Sequence, residues 1–306
     1  MPAEVDLGVR LGALALANPV MTASGTFGYA AEMERFFSPA ILGAIVGKSV
    51  TLEPREGNPP PRMAETPAGM LNSIGLQNPG AERFLATHLP RLRAYGVPVV
   101  VNIAGKSVAE FERLAELFDG QPGVAALELN LSCPNVRQGG LEFSAEPRAC
   151  EEVCSRVRRR TRLPVFAKLT PNTADVPAVA RAAEAAGADA VTAINTYLGL
   201  AVRWRERRAV LATDTGGLSG PAIKPLALRI VAEVARAVSI PVIAAGGIGS
   251  AEDVLEFMVA GASAVQVGTA TFFDPHTIPR ILAELPRLLA EEGISRVADV
   301  IGTLRW

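Results

Sequence analysis

The feature that most constrains the fold of this chain is the repeated alternation of short apolar runs with longer helical segments. Several runs are almost wholly apolar where they begin, as strands buried on both faces are. The runs are Pro19–Ser24, Ala44–Thr51, Val97–Ala104, Ala125–Ser132, Pro164–Thr170, Ala190–Thr196, Pro241–Gly246 and Ala264–Ala270. The helical segments between them include Val108–Phe118, Ala178–Ala186, Lys224–Ala237 and Ala251–Ala260. Eight strand–helix units predict an α/β fold, a closed parallel (β/α)8 TIM barrel.

A doubly wound open sheet is the competing architecture for alternating strands and helices. It is disfavoured by the count of eight strands and by the lack of a Gly-x-Gly-x-x-Gly turn after an early strand. Ahead of the first strand, Val5–Ala17 is predicted to form a short hairpin that closes the N-terminal end of the barrel. No linker or low-complexity tract divides the chain, so residues 1–306 are expected to form a single domain.

Charge and hydropathy exclude several classes of function. The 30 Lys+Arg residues nearly balance the 31 Asp+Glu residues, which argues against an electrostatic nucleic-acid or membrane binder. The start of the sequence lacks the basic and apolar regions of a secretory signal, and no uninterrupted apolar run reaches the ~18 residues of a membrane span. Three cysteines cannot form a disulfide framework, so a reducing cytoplasm is the expected location.

Polar or glycyl residues follow nearly every apolar run, at the point where the strand is predicted to end. Chemistry in such barrels sits where the strands end and the following loops begin. A buried amide or ammonium is costly unless it is paired, so packing alone does not account for the pattern. The residues are Ser24, Lys48, Ser49, Asn102, Asn130, Ser132, Cys133, Lys168, Asn195, Thr196, Gly246, Gly247, Gly268 and Thr269. We therefore predict a functional site at the carboxyl ends of the strands.

Glycine-rich turns after the last two strands indicate a phosphate site. The seventh strand ends in Ala-Ala-Gly-Gly-Ile-Gly-Ser before a helix near Ala251, and the eighth ends in Val-Gly-Thr-Ala before a short helix near Thr271–Phe273. Loops in these positions form the common phosphate site of barrels, and glycines let backbone N–H groups approach the phosphate closely. Gly216–Gly220 is expected to add a third glycine-rich loop. The alternative is that these glycines only make tight turns.

Lys48 and Lys168 both fall at strand ends, where a lysine can serve more than one purpose. Either could form a Schiff base, as in an aldolase, or supply a fixed positive charge beside the electron-rich edge of a reduced flavin. A salt bridge across the top of the barrel is the structural alternative for each of them.

Cys133 is the most specific indication of chemistry in the sequence. It lies in the segment Leu-Asn-Leu-Ser-Cys-Pro-Asn-Val, just past the fourth predicted strand. A carbon acid needs a base to lose a proton, and histidine is the usual one. The chain has only His88 and His276, both in expected helical or surface segments, so a Cys133 thiolate of lowered pKa is the candidate base. Cys150 and Cys154 are expected to pack on a helix, and three cysteines cannot ligate an iron–sulfur cluster. No metal site is predicted.

Asparagines also gather at or just beyond the predicted strand ends. An amide both donates and accepts hydrogen bonds, so a group of amides suits an imide or cyclic urea with alternating C=O and N–H groups. Asn102, Asn130, Asn135 and Asn195 lie at or just beyond these ends, and Asn72 follows a proline-rich loop, Pro54–Pro67. One asparagine means little, since asparagine is common in turns, but five around one mouth favour a recognition site.

With these motifs the sequence resembles the class 1 dihydroorotate dehydrogenases, and most closely the class 1B catalytic subunits, over essentially the whole chain. The loop at Cys133 and the asparagine-bearing strands are the specific part of the resemblance, whereas the glycine loops are shared by many barrels. The supporting segments are residues 18–28, 47–51, 72–78, 131–136, 193–196, 215–225 and 265–270.

The resemblance implies a role for each matching position. One FMN per chain would be contacted at its ring and ribityl chain by Ser24, Lys48, Ser49, Asn102, Asn130, Lys168 and Ile194. Its phosphate would be held by Gly220, Gly246, Gly247, Gly268 and Thr269. Substrate would meet Lys48, Asn72, Ser73, Ile74, Gly75, Leu76, Asn130, Asn135, Asn195 and Thr196. Cys133 would take the C5 proton of dihydroorotate while hydride passes from C6 to the flavin N5.

The resemblance also implies a route for the electrons. The reaction would be oxidation of dihydroorotate to orotate in de novo pyrimidine (UMP) biosynthesis, with NAD+ as the final acceptor. FAD and a [2Fe–2S] cluster would sit on a partner subunit, joined to a homodimer of this chain in a heterotetramer. Two alternatives stay open: a class 1A-type enzyme reoxidised by fumarate, and a phosphate-binding barrel lyase that uses Lys168 as its Schiff base.

Overall fold

A computed structural model describes residues 5–132 and 145–306, and its centre is an eight-stranded parallel sheet. The strands are β1 (Val20–Thr22), β2 (Ile45–Val46), β3 (Val99–Ile103), β4 (Val124–Asn130), β5 (Val165–Leu169), β6 (Ala190–Ala193), β7 (Val242–Ala245) and β8 (Ala262–Val267). Their spatial order is β1-β8-β7-β6-β5-β4-β3-β2. Each strand overlaps one of the eight apolar runs, and the predicted (β/α)8 barrel is confirmed.

The barrel closes where its first two strands meet. Met21 and Ala44 form a parallel bridge across this seam, and the Gly43 N–H donates to a β1 carbonyl at 2.9 Å. The Thr22 hydroxyl extends the pairing, because its Oγ1 accepts from the Val46 N–H at 2.8 Å and donates to the Val46 carbonyl at 3.0 Å. A side chain thus lengthens the short backbone pairing at the point where the sheet joins itself.

Helices connect the strands and pack around the barrel. They are α1 (Ala81–Arg83 and Leu89–Arg93, joined by a π-helical turn at Phe84–His88), α2 (Val108–Phe118), α3 (Pro147–Arg158), α4 (Val176–Ala185), α5 (Lys224–Ala237), α6 (Ala251–Val259), α7 (Ala270–Phe273) and α8 (Thr277–Glu291). Short 3-10 helices cover Ala31–Met33, Pro39–Ile41, Pro221–Ile223 and Val297–Val300. Polar caps fix the start of several helices: Ser107 caps α2, and Ser250 forms a capping box with Asp253 at α6.

A short hairpin covers the N-terminal end of the barrel, as predicted for Val5–Ala17. Val9–Leu11 pairs antiparallel with Leu14–Leu16. The turn between them lies beside the start of β6, since a Cβ at Gly12 would be 3.7 Å from Asp189. The hairpin therefore closes the end of the barrel opposite to the carboxyl ends of its strands.

A second, antiparallel sheet lies next to the carboxyl ends of the barrel strands. Its strands, in spatial order, are Tyr197–Leu200, Thr215–Ser219, Gly69–Asn72 and Met63–Thr66. Val202–Arg203 and Arg208–Ala209 form a separate two-stranded ribbon. The two long connections that follow β2 and β6 therefore build a small sheet together.

The expectation of a glycine-rich loop at Gly216–Gly220 is wrong for all but its last residue, because the others are paired within the strand Thr215–Ser219. The glycines there allow close approach. A Cβ at Gly217 would lie 2.1 Å from the Thr196 hydroxyl oxygen.

The helix cysteines lie in the hydrophobic core, as expected of packing residues. Cys150 and Cys154 on α3 are both buried, with their Sγ atoms 4.0 Å apart. The hydrogen bond with Cys150 and burial raise the pKa of the Cys154 thiol. Across residues 5–132 and 145–306, no helix combines the length and apolar character that crossing a membrane requires.

Gly43 offers a direct test of the seam. A Cβ at this position would lie 2.1 Å from the carbonyl oxygen of Asn18, a backbone atom that cannot move aside alone. We expect Gly43→Ala to lower the free energy of unfolding by about 1–3 kcal/mol, the range typical of overpacking, in urea denaturation. Gly249→Ala is the control, since its Cβ would be 3.7 Å from the nearest heavy atom. Equal stability of Gly43→Ala and the wild type would show that the seam tolerates a side chain there.

Candidate active site

A cavity of about 1000 Å³ opens at the carboxyl ends of the barrel strands, beside the antiparallel sheet. It brings together all of the predicted cofactor and substrate residues that the structure describes. These are Ser24, Lys48, Ser49, Asn72, Ser73, Ile74, Gly75, Leu76, Asn102, Asn130, Lys168, Ile194, Asn195, Thr196, Gly220, Gly246, Gly247, Gly268 and Thr269. Their individual roles stay predictions.

The predicted base and one predicted substrate amide, Cys133 and Asn135, lie outside the described residues. Ser132, which precedes Cys133 in the chain, is buried and lines the cavity. Its hydroxyl donates to the Lys168 carbonyl at 3.4 Å. The last described residue before the predicted base is therefore tied to the neighbouring strand β5.

Hydroxyl and amide side chains form a hydrogen-bonded row across the cavity. The Ser24 and Ser49 hydroxyls lie 3.2 Å apart, and the Asn130 amide donates to Ser49 Oγ at 3.3 Å. Asn195 Nδ2 donates to Asn130 Oδ1 at 3.3 Å, and Asn195 Oδ1 accepts from the Thr196 N–H at 2.9 Å. The residues follow or end β1, β2, β4 and β6, so closure of the barrel brings them together. Such a row can match a ring with alternating C=O and N–H groups.

A buried carboxylate beneath the cavity is a functional candidate that the sequence prediction missed. Glu128 lies inside β4, fully buried, and accepts hydrogen bonds from Asn102 at 2.7 Å and Thr192 at 2.9 Å. Gln266 also donates to Glu128, at 2.5 Å. Lys168 Nζ lies 3.6 Å from this carboxylate and donates to Gln266 Oε1 at 2.8 Å. The signal in the sequence is a lone glutamate within an apolar run, since a buried charge requires partners.

Two neighbouring cations, Lys48 and Arg62, form part of the wall of the cavity. Lys48 follows β2, and Arg62 directly precedes the strand Met63–Thr66. Burial lowers the pKa of the Lys48 ammonium, and the positive charge of Arg62 lowers it further. Arg62 is held by Gln77 Oε1 at 2.6 Å and by the Asn58 carbonyl at 3.3 Å. The pair favours an anionic ligand, and Arg62 is a further lining residue that the sequence prediction did not include.

The turn after β7 combines a glycine pair with the start of a capped helix. Gly246 and Gly247 have φ values of 126° and 79°, and a Cβ at Gly247 would lie 2.6 Å from the Lys224 side chain. Lys224 is paired with Asp253 and, at 2.9 Å, with Glu256. Helix α6 begins directly after this turn, where the N–H groups of Gly249 and Ser250 donate to the Asp253 carboxylate at 2.8 and 2.9 Å. The backbone N–H groups of the glycine pair itself are therefore the ones suited to the phosphate site predicted here.

The predicted substrate segment 72–76 is anchored to the antiparallel sheet. Asn72 Nδ2 donates to the Gly217 carbonyl at 3.4 Å, and the Ser73 N–H donates to the Arg62 carbonyl at 2.8 Å. Asn58 Nδ2 donates to the Ser73 carbonyl at 3.0 Å. These bonds hold the segment against the cavity, where its residues form part of the wall.

Neither histidine lines the cavity within the part of the chain that the structure describes. The His88 ring packs on Tyr29, with ring centroids 4.1 Å apart, and His276 lies exposed beside Asp274. This placement agrees with the choice of a thiol rather than an imidazole as the candidate base.

Comparison with known proteins places the chain in a family. The model of a family described as dihydroorotate dehydrogenase matches residues 6–289. A protein of Geobacillus kaustophilus (strain HTA426) is 52% identical over 97% of this chain and 95% of its own length. One from Geotalea daltonii is 52% identical over 99% of each chain. A third, from Bacillus caldolyticus, is 51% identical over 97% of this chain and 95% of its own. All three are named dihydroorotate dehydrogenase B (NAD(+)), catalytic subunit. This chain therefore belongs to the dihydroorotate dehydrogenase family.

Proposed function

We propose that this chain is an FMN-dependent oxidoreductase that converts dihydroorotate to orotate in the de novo synthesis of UMP. Membership of the dihydroorotate dehydrogenase family supports the reaction. The observation that carries the proposal is the convergence at one cavity of a row of amides, two lysines and the glycine turn suited to phosphate. A cytoplasmic location suits the free thiols of Cys150 and Cys154.

The cavity fits a flavin mononucleotide. Its volume of about 1000 Å³ is that of a large small-molecule site. Asn102 Oδ1 is buried and has no hydrogen-bond partner among residues 5–132 and 145–306, so it is an acceptor suited to an N–H of a bound ring. One FMN per chain would be held at its ring and ribityl chain by the strand-end residues and at its phosphate by the glycine turns after β7 and β8.

Each part of the cavity would then have its own task. Bound FMN would accept the hydride that leaves C6 of dihydroorotate. Cys133 would remove the C5 proton, and its position directly after the cavity residue Ser132 supports this assignment. Asn130 and Asn195 would orient the C=O and N–H groups of the substrate ring, while the Lys48 ammonium attracts the substrate carboxylate.

The electrons would leave through a partner subunit that carries FAD and a [2Fe–2S] cluster, with NAD+ as the final acceptor. The names of the relatives, which specify NAD(+) and a catalytic subunit, support this route over the fumarate alternative. A homodimer of this chain would form the core of a heterotetramer. Exposed apolar side chains at Leu198, Leu200 and Trp204 support a contact surface beside the cavity.

The lyase alternative has less support at Lys168. A Schiff-base lysine needs a free amine that can attack a carbonyl. The Lys168 ammonium is buried, and it is engaged by Gln266 at 2.8 Å and faces Glu128 at 3.6 Å. This environment suits a fixed positive charge beneath a flavin better than a nucleophile.

The electron acceptor tests the proposed route. We expect the chain together with its partner subunit to reduce NAD+ at the expense of dihydroorotate, and the chain without the partner to lose this activity. Initial rates with NAD+ and with fumarate, at equal flavin content, provide the measurement. A homodimer that reduces fumarate efficiently with no partner would contradict the route, and borohydride trapping of substrate on Lys168 would favour the lyase.

Cys133→Ala tests the proposed base. The variant should keep FMN and lose dihydroorotate oxidation by about 10²–10⁴-fold, the usual cost of removing a general base. Cys133→Ser should recover part of the rate at high pH, because a hydroxyl is a poor base near neutrality. The readouts are kcat against pH and flavin absorbance, with Cys154→Ala on α3 as the cysteine control. Wild-type turnover in Cys133→Ala would remove this thiol from the mechanism.

The lowered pKa of Lys48 predicts a pH dependence of substrate binding. Lys48 attracts the substrate carboxylate only while it is protonated. As the pH is raised, KM for dihydroorotate should therefore begin to increase at a lower pH than the one at which an ordinary lysine loses its proton. Arg62→Gln removes a positive neighbour, which raises the pKa of Lys48 and should move the rise in KM to higher pH. Arg113→Gln, exposed on α2, is the control. An unmoved KM profile in Arg62→Gln would contradict this coupling.

A further inference from the structure

Glu128 is a charged group that the proposed reaction does not use, and it is among the most deeply buried residues of the barrel. Its relative exposure is 0%, yet it lies only two positions before the cavity residue Asn130 on β4. Side chains two residues apart on a strand share a face, so Glu128 points into the barrel one layer below Asn130. A carboxylate in this position is costly unless its charge and its lone pairs are satisfied.

Four neighbouring groups satisfy this carboxylate. Asn102 Nδ2 donates to Oε1 at 2.7 Å, while Thr192 Oγ1 and Gln266 Nε2 donate to Oε2 at 2.9 and 2.5 Å. Lys168 Nζ lies 3.6 Å from Oε1. These partners come from β3, β5, β6 and β8, so a single side chain joins five barrel strands.

Three of the four partners reach the cavity, whereas Glu128 does not. Asn102, Lys168 and Gln266 line it, and Glu128 is not among the lining residues of the described chain. Asn102 gives its N–H to Glu128 and thereby turns its unpartnered Oδ1 away from the carboxylate. Gln266 gives its N–H to Glu128 as well, which presents its Oε1 to Lys168. The carboxylate therefore fixes which end of each amide is available to the groups above it.

We propose that Glu128 is a positioning residue that sets the electrostatic environment of the flavin through Lys168, Asn102 and Gln266. The inference rests on the proposed function, because it requires FMN in the cavity. The negative charge of Glu128, 3.6 Å from the Lys168 ammonium, offsets much of the positive electrostatic potential that this lysine produces in the cavity. The flavin ring gains negative charge when it is reduced at neutral pH, so the balance of these two charges acts on its reduction potential.

The charge balance gives predictions of opposite sign for the two partners. Glu128→Gln removes the negative charge and should raise the two-electron potential of bound FMN. Lys168→Gln removes the positive charge and should lower it. A residue with a merely structural role would loosen FMN binding without moving the potential in a direction set by its charge.

The experiment measures the potentials of FMN-loaded wild type, Glu128→Gln and Lys168→Gln by equilibration with reference dyes. We expect Glu128→Gln to favour the reduced flavin at least tenfold, which for a two-electron couple is a positive shift of about 30 mV. Glu233→Gln, an exposed acid on α5 that pairs with Arg229, is the charge-matched control and should keep the wild-type potential. An unchanged or lowered potential in Glu128→Gln would overturn the proposal.

A double variant covers the case in which Glu128→Gln does not fold because Lys168 is left as an unpaired buried charge. Glu128→Gln combined with Lys168→Gln removes both charges, and its potential should lie above that of Lys168→Gln alone. Equal potentials of these two variants would refute a charge effect of Glu128. Wild-type protein that binds no FMN would overturn the proposed function and this inference together. Flavin-loaded variants without the expected shifts would overturn only the inference.

Discussion

Closure of the parallel sheet is the constraint on which the rest of the structure depends. The bridge between Met21 and Ala44 joins the first strand to the second. The Thr22 hydroxyl reinforces this junction, because it forms hydrogen bonds with both the N–H and the carbonyl of Val46. Once the sheet is closed, the carboxyl ends of all its strands face a single opening. Side chains that are far apart in the sequence then become neighbours. Gln266, for example, donates a hydrogen bond to a glutamate 138 residues before it.

Polar residues inside this opening occupy two layers with different electrostatic character. The lower layer is a buried, charge-paired group in which Glu128 faces Lys168 and also accepts hydrogen bonds from neutral side chains. The upper layer is a row of hydroxyls and amides that offers both donors and acceptors. Lys48 and Arg62 add positive charge to the wall of the cavity. A flat cofactor above the charge-balanced lower layer and an anionic substrate beside these two cations are compatible with this division.

Much of the barrel could be predicted, because strands buried on both faces leave a local apolar signature in the chain. The helices Val108–Phe118 and Lys224–Ala237 have the predicted bounds, and those polar residues after the apolar runs that the structure describes do line one cavity. The features that escaped prediction depend on pairing between distant segments. Thr215–Ser219 contains glycines that disfavour a strand, and its pairing with Gly69–Asn72 supplies what the local sequence lacks. The importance of Glu128 likewise depends on partners from four other strands.

The most direct test of the central claim, that a flavin in this cavity oxidises dihydroorotate, is an anaerobic titration of the purified chain. Without any electron acceptor, each equivalent of dihydroorotate should bleach the yellow absorbance of one bound FMN and yield one equivalent of orotate. If the protein stayed yellow with excess dihydroorotate, or contained no flavin to bleach, the assignment of this cavity would be contradicted.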